Sequence, residues 1–176
     1  MGGRSSNRKK EKTLRSVKIQ LSKGYWATVD YDIELLSRIL QHCWYYGNAG
    51  YVKATINSEK VYLHRFILDV TGRYNQVDHK NGDKLDNRRC NLRVCTNAQN
   101  QANRRKSPGT SQYKGVHWHT RSKKWISKLI ITDNGKEKLV FSGSYSCEID
   151  AAVSYDFALV NYFGEFAKTN FEICQD

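Results

Sequence analysis

Val77-Asp78-His79-Lys80-Asn81-Gly82-Asp83-Lys84-Leu85-Asp86-Asn87-Arg88-Arg89-Cys90-Asn91-Leu92-Arg93-Val94-Cys95-Thr96-Asn97-Ala98-Gln99-Asn100 is the stretch on which the reading of this chain turns. A short strand ends at Asp78-His79, and a polar loop follows through Asn81-Gly82 and Asp86-Asn87. Leu92-Arg93-Val94 then returns as a second strand beside the first. Thr96-Asn97-Ala98-Gln99 has the S/T-x-x-E/Q form of a capping box, so a helix starts at Thr96 and carries Asn100 in its first turn. Two strands and a helix therefore converge the polar side chains of Asp78, His79 and Asn100.

That trio has a chemistry. Hydrolysis of a phosphodiester asks for a hard cation with oxygen ligands and for a base whose pKa lies near neutrality. Asp78 and Asn100 offer a carboxylate and an amide oxygen, which leaves most of an octahedral Mg²⁺ (or Mn²⁺) shell to water and phosphate. His79, adjacent to Asp78 on a strand, projects to the other face and is free to take a proton from an attacking water. Arg88, Arg89 and Arg93 are close enough in sequence to hold flanking phosphates. Taken singly, each signal is weak. A lone His79 is more often structural, Asp86-Asn87 are ordinary turn residues, and Asn91 is an ordinary strand-edge cap. The joint spacing is what carries the reading.

At these residues the sequence resembles the HNH endonucleases, the ββα-metal fold, in the branch common among homing endonucleases of introns and phages. The resemblance rests on the Asp78-His79 pair, on Asn91 twelve residues beyond His79, and on Asn100 nine further on. Leu63-His64-Arg65-Phe66 is similar to the Leu/Val-His-Arg segment that precedes the motif in that branch. The resemblance implies His79 as general base, Asp78 and Asn100 as metal ligands, and Asn91 as the residue that braces the loop and orients His79. Asn100 stands where the family name has its last histidine, a variant that keeps an oxygen donor. His64 reads as packing beneath the motif, and His42 has no assigned role.

A second unit lies downstream. Tyr113 to Val116, Trp125 to Ile131 and Lys138 to Phe141 are β-rich, the latter two joined by the turn Asp133-Asn134-Gly135. A helix is predicted from about Ser146, as N-cap, to Phe163, with Ile149, Val153, Phe157 and Val160 as its apolar face, backed by Ala151, Ala152 and Ala158. Residues 106–138 carry eight basic and two acidic residues, whereas 139–176 carry one and six. One face of this unit therefore suits phosphates and another repels them. Tyr113-Lys114-Gly115-Val116, Lys124-Trp125, Ala151-Ala152-Val153-Ser154-Tyr155-Asp156 and Phe163-Gly164-Glu165-Phe166-Ala167-Lys168-Thr169-Asn170-Phe171 resemble the AP2 DNA-binding domain. That family implies a three-stranded sheet in the DNA major groove with a helix behind it. Lys114, His117, His119, Arg121, Lys123, Lys124, Trp125 and Lys128 are the candidate DNA contacts, with Trp125 at least as readily a packing residue. His117 and His119 lie near positions where plant members carry arginines, so no base preference transfers.

Upstream, Val17 to Leu21 and Trp26 to Val29 are expected strands. A helix is expected from about Asp32, with Ile33, Leu36, Ile39 or Leu40, and Cys43 on one face until Gly47-Asn48-Ala49-Gly50 breaks it. Tyr51 to Ile56 and Val61 to Leu63 form a hairpin around Asn57-Ser58, and His64 to Val70 a short helix. The 176 residues carry a formal charge of +12 and 39% hydrophobic residues, a balance that calls for a polyanionic partner. No apolar stretch nears a membrane span, and no apolar region follows the basic N-terminus as in a secretory leader. Met1 to Ser6 loosely fits an acylation pattern, but a basic arm tracking nucleic acid is the favoured reading. Five cysteines without a CxxC pair read as reduced thiols rather than a zinc site.

The sequence thus predicts an α+β chain: a basic flexible arm (1–16), an HNH nuclease domain with small antiparallel strands (17–105), a linker (106–112), an AP2-type three-stranded antiparallel sheet packed on one helix (113–171) and a tail (172–176). The expected activity is metal-dependent cleavage of double-stranded DNA, of the intron or mobile-element homing type, with no membrane and no obligate protein partner. An intracellular, DNA-associated setting of phage, viral or mobile-element origin goes with it. The alternative is a sequence-specific DNA-binding regulator with a vestigial nuclease motif.

Overall fold

The computed structural model describes residues 15–72, 75–104, 106, 109–133 and 135–172. The basic arm up to residue 14, Arg105, Ser107 and Pro108 of the expected linker, Asn134 of the expected turn, and residues 173–176 lie outside the described residues.

β1 (Ser16–Gln20) and β2 (Trp26–Asp30) pair antiparallel, and their alternation buries Ile19, Ala27 and Val29 on one face. Asp32 caps α1 (Ile33–Ile39), its carboxylate accepting from Leu35 N–H at 3.0 Å. This helix is shorter than the apolar spacing predicts, and it buries Leu35 and Ile39 while Ile33 and Leu40 stay exposed. The stop is local: Trp44 folds back and donates its indole N–H to the Ile39 carbonyl at 2.8 Å, filling an acceptor that the helix end leaves open. β3 (Tyr45–Tyr46), β4 (Val52–Ile56) and β5 (Glu59–Tyr62) form a three-stranded antiparallel sheet. Asn57 and Ser58 join the last two with φ of 49° and 67°, the two positive values that a tight two-residue hairpin turn demands.

α2 (Leu63–Ile67) buries Leu63, His64 and Ile67. Behind it come β6 (Gln76–His79), β7 (Leu92–Cys95) and α3 (Asn97–Ala102). The two strands are antiparallel, with Asp78 opposite Arg93 and His79 opposite Leu92. The capping box at Thr96 is complete: its hydroxyl accepts from Gln99 N–H, and Gln99 accepts from Thr96 N–H at 2.8 Å. Leu35, Ile39, Val52, Leu63, Ile67, Val77 and Leu92 share one core beneath these elements. Each such side chain contributes about 1.5–3 kcal/mol on burial.

β8 (Val116–His119), β9 (Lys124–Asp133) and β10 (Lys136–Tyr145) make a second antiparallel sheet with β9 in the middle, and α4 (Glu148–Phe163) lies across it. The expected face of this helix is corrected. Ala151, Ala152, Tyr155, Asp156 and Leu159 are buried, whereas Ile149, Val153 and Phe157 are exposed. The helix is rotated so that Ala151, Ala152, Tyr155 and Leu159 share the inner side: Ala151 and Ala152 pack on Val116, with Trp125 and Tyr145 against them, and Tyr155 and Leu159 meet Leu129. The N-cap is Cys147, without a side-chain cap, rather than Ser146. Asp156 is inside because its carboxylate accepts from Asn170 N–H at 2.8 Å, Phe171 N–H at 3.0 Å and the Asn170 side-chain amide at 2.9 Å.

The two halves share interior. Ala102, on the last turn of α3, lies in one apolar cluster with Leu129, Tyr155 and Leu159. Tyr155 lies over Gly115, whose φ is +76°, and a Cβ at that position would overlap the tyrosine ring. Gly115→Ala therefore combines overpacking with left-handed strain, and we expect a loss of about 2–4 kcal/mol, read as a lowered midpoint in urea unfolding.

His64 sits with its ring 5.1 Å from that of His79, and its Nδ1 has no hydrogen-bond partner among the described residues. Burial, then the charges of His79 and Arg65, push its pKa down to about 3. Between about 3 and the ordinary 6.5 the unfolded chain binds a proton that the folded chain refuses. Stability is therefore complete above pH 6.5 and declines as pH falls through that window. Thermal unfolding at pH 5 should report on the order of 1–2 kcal/mol less stability from this residue than at pH 7.5, and His64→Leu should flatten the slope.

Candidate active site

The loop between β6 and β7 is polar and turns Asp86, Asn87 and Asn91 into the interior, so each of these buried groups needs a partner. Asn91 supplies two. Its Oδ1 accepts from Asn81 N–H at 3.0 Å, and its Nδ2 donates to the Asp86 carbonyl at 2.7 Å, while its own carbonyl accepts from Lys80 N–H at 2.9 Å. Asn87 is fully buried and donates Nδ2 to the Lys84 carbonyl at 3.1 Å. Strand β2 braces the loop from outside: Thr28 N–H donates to the Leu85 carbonyl at 2.8 Å, and Asn87 N–H to the Thr28 carbonyl at 2.7 Å.

His79 is buried at the end of β6, and its Nε2–H donates to Asn87 Oδ1 at 3.3 Å. Bracing and orienting, expected of Asn91 alone, are thus divided: Asn91 holds the loop, and Asn87 meets the imidazole. This tautomer leaves the Nδ1 lone pair as the ring's acceptor. Burial lowers the His79 pKa, opposed by the Asn87 hydrogen bond and by the charges of Asp78, Asp83 and Asp86.

Asp78, His79 and Asn100 line one cleft of about 500 Å³, together with Tyr51, Lys84, Asn103, Arg104 and Lys168. Asn100 donates Nδ2 to Gln76 Oε1 at 2.6 Å, so its Oδ1 is the remaining acceptor. The amide that touches Asp78 is that of Asn103, which donates to its two carboxylate oxygens at 2.9 and 3.0 Å and to the His79 carbonyl at 2.9 Å. Nothing in the motif spacing singles out Asn87 or Asn103. The capping box does give a clue to the second, because it fixes the phase of α3 and sets Asn103 one turn beyond Asn100 on the same face.

The three arginines expected on phosphate are spent elsewhere. Arg88 forks onto Asp86, with Nε and one terminal nitrogen each at 2.7 Å, and holds that carboxyl below the usual range. Arg89 pairs with Asp32 at 2.9 Å, and its backbone N–H donates to Asp30 at 2.8 Å. Arg93, opposite Asp78 on the neighbouring strand, donates to it at 2.9 and 3.0 Å. Cross-strand register places Arg93 on Asp78, the need to pair a buried carboxylate places Arg88 on Asp86, and Arg89 makes an exposed pair with the N-cap of α1.

In the second sheet, strand alternation sends His117, His119, Lys124 and Lys128 to the face opposite α4, with Arg121 and Lys123 exposed in the connecting turn. Trp125 is on the other face, packed against Val116 and 5.1 Å edge-on to Trp118. Lys114 also leaves the set: its Nζ donates to the carbonyls of Ala102 and Lys168, and burial pulls its pKa down to about 8.

A divalent cation suits the donor types of the cleft, whose lining includes the Asp78 carboxyl and the Asn100 amide. Among the described residues no group of three or more His, Cys, Asp or Glu is arranged to hold one. Among the described residues no helix is long and apolar enough to cross a membrane.

The HNH endonuclease family model matches residues 61–102, from the end of β5 to the end of α3. An uncharacterized HNH endonuclease of Acanthamoeba polyphaga mimivirus is 32% identical over 159 residues, covering 84% of this chain and 76% of that protein. An AP2-like ethylene-responsive transcription factor of Arabidopsis thaliana is 35% identical over 70 residues, 38% of this chain and 19% of its own length. The ethylene-responsive transcription factor WRI1 of the same plant is 34% identical over 70 residues, 38% of this chain and 15% of its own length. No solved structure matches. The AP2-like likeness thus covers part of the chain, while the likeness to the viral protein runs along most of both, and the chain belongs to the HNH endonucleases.

Proposed function

We propose that this protein is a divalent-metal-dependent DNA endonuclease in which His79 is the general base and Asp78 and Asn100 hold the metal. The observation that carries the reading is the 3.3 Å contact between His79 Nε2 and Asn87 Oδ1, an oxygen that can only accept. With Nε2–H committed to Asn87, Nδ1 is the base available in a cleft shared with Asp78 and Asn100. In this reading β6, β7 and α3 are the ββα-metal unit, and β8, β9, β10 and α4 are the AP2-type unit. The domain limits near 17–105 and 113–171 are part of the same proposal.

His79 takes a proton from a water aligned with phosphorus, and that oxygen forms the new P–O bond. The P–O3′ bond breaks in line, leaving a 5′-phosphate and a 3′-oxygen that is protonated from solvent. Mg²⁺ or Mn²⁺ held by Asp78 and Asn100 would supply positive charge for the phosphate and leaving oxygens. Asn87 keeps the imidazole in its working tautomer, and Asn103 and Arg93 fix the Asp78 carboxylate. Lys124, Lys128, Arg121 and Lys123 grip backbone phosphates, giving affinity and salt dependence rather than base choice. A role in intron or mobile-element homing is the biological setting that fits the motif's branch.

One observation favours the rival, a DNA-binding regulator with an inactive site: Arg93 already neutralises Asp78. Supercoiled plasmid decides between them. The wild-type chain with Mg²⁺ should cut, excess EDTA should stop it, and His79→Ala should slow cutting by about 10²–10⁴-fold with duplex affinity within about threefold. Equal cutting by both chains removes His79 from the mechanism, and no cutting by wild type selects the regulator. Replacing Lys124 and Lys128 together by alanine should lower the slope of log affinity against log salt by about two.

A further inference from the structure

We infer that the C-terminal unit completes the nuclease cleft, delivering Lys168 as the cation that holds a DNA phosphate beside the scissile one. This rests on the nuclease reading above. Lys168 lines the same cleft as Asp78, His79 and Asn100, although it lies 66 positions beyond the end of α3. Its Nζ reaches over the loop and lies 3.6 Å from where a Cβ on Gly82 would stand, so the missing side chain there leaves its path open.

The backbone at this point is fastened to the nuclease half. Lys168 N–H donates to the Ala102 carbonyl at the end of α3, and Lys114 Nζ bridges the Ala102 and Lys168 carbonyls. Two to three residues earlier the same segment is pinned to β7: Arg93 donates to the Glu165 carbonyl at 2.7 Å and lies 4.1 Å over the Phe166 ring. The lysine side chain takes no part in this fastening, and among the described residues it forms no ion pair.

Charge makes the position informative. Lys168 is the one basic residue between 139 and 176, in a segment that otherwise carries six acids. With Arg88, Arg89 and Arg93 committed to carboxylates, the cations lining the cleft are Lys84, Arg104 and Lys168. Lys84 is already bonded to the Ala49 carbonyl at 2.7 Å and stacked on Tyr51. A phosphodiester entering this cleft therefore meets Lys168 as an uncommitted ammonium, and a phosphate is the anion that DNA brings.

The test uses the full chain. In a His79→Ala background, duplex binding is measured from 50 to 300 mM salt with and without Lys168→Ala. Loss of one phosphate contact should lower the slope of log affinity against log salt by about one, and Lys168→Arg should restore it. With His79 intact, Lys168→Ala should cut plasmid 10–100-fold more slowly at saturating protein, with an unchanged melting temperature because only side-chain atoms are removed. An unchanged salt slope overturns the proposal, as does a lowered slope with a wild-type rate at saturation, which would put the contact outside the reacting centre. If the parent never cuts but the slope still falls by one, the nuclease reading fails and the phosphate contact stands.

Discussion

The site depends on burying three polar side chains of one loop, Asp86, Asn87 and Asn91, without leaving their polar atoms unpaired. Residues 80–91 join two strands with Lys80–Asp83, Arg89 and Cys90 exposed, but Asp86, Asn87 and Asn91 turn inward, where an unpartnered amide or carboxylate costs about 1–3 kcal/mol. The chain meets that constraint with asparagine, the side chain that both donates and accepts. Asn81, Asn87 and Asn91 each bind within the loop, and β2 supplies the external partners. A loop closed in this way presents His79 on a fixed backbone, the preorganisation that the proposed proton transfer would use.

The same constraint governs the charges. Interior carboxylates at Asp78 and Asp86 need cations, and Arg93 and Arg88 are the nearest on the neighbouring strand and in the loop. Electrostatic pairing inside the fold and attraction of a polyanion outside it compete for the same residue types. Here Arg88 and Arg93 are taken by those two carboxylates and Arg89 by Asp32, and the remaining positive charge falls to Lys124 and Lys128 on β9, Arg121 and Lys123 in the turn before it, and Lys168 at the cleft wall. Lysine suits that role, because a flexible ammonium tracks a backbone without demanding the fixed planar geometry of a guanidinium.

Much of this could be read from the chain. Strand alternation at Val17–Gln20, the Asn57-Ser58 turn, the Thr96 capping box and the Asp78-His79 pair are local signals, and each corresponds to the element seen. What escaped was set by tertiary contact. α4 buries Ala151, Ala152, Tyr155 and Leu159 rather than Ile149, Val153 and Phe157, because the rotation of the helix on the sheet, not hydropathy alone, chooses the inner face. Trp125 and Lys114 have the chemistry of DNA contacts but are taken up by packing and by the end of α3. The division of loop bracing and imidazole orientation between Asn91 and Asn87 follows from backbone geometry that no spacing rule encodes.

The shared cluster of Ala102, Leu129, Tyr155 and Leu159 also bears on how such chains can be recombined. A crossover placed in the segment after α3, where the sequence looks most like a tether, would set a foreign helix end against Tyr155 and leave the Ala102 carbonyl without its lysine. The exchangeable cassette therefore begins before Thr96 rather than after residue 105. Exchanging the C-terminal unit of this chain, by natural shuffling or by protein engineering, means carrying α3 along with it.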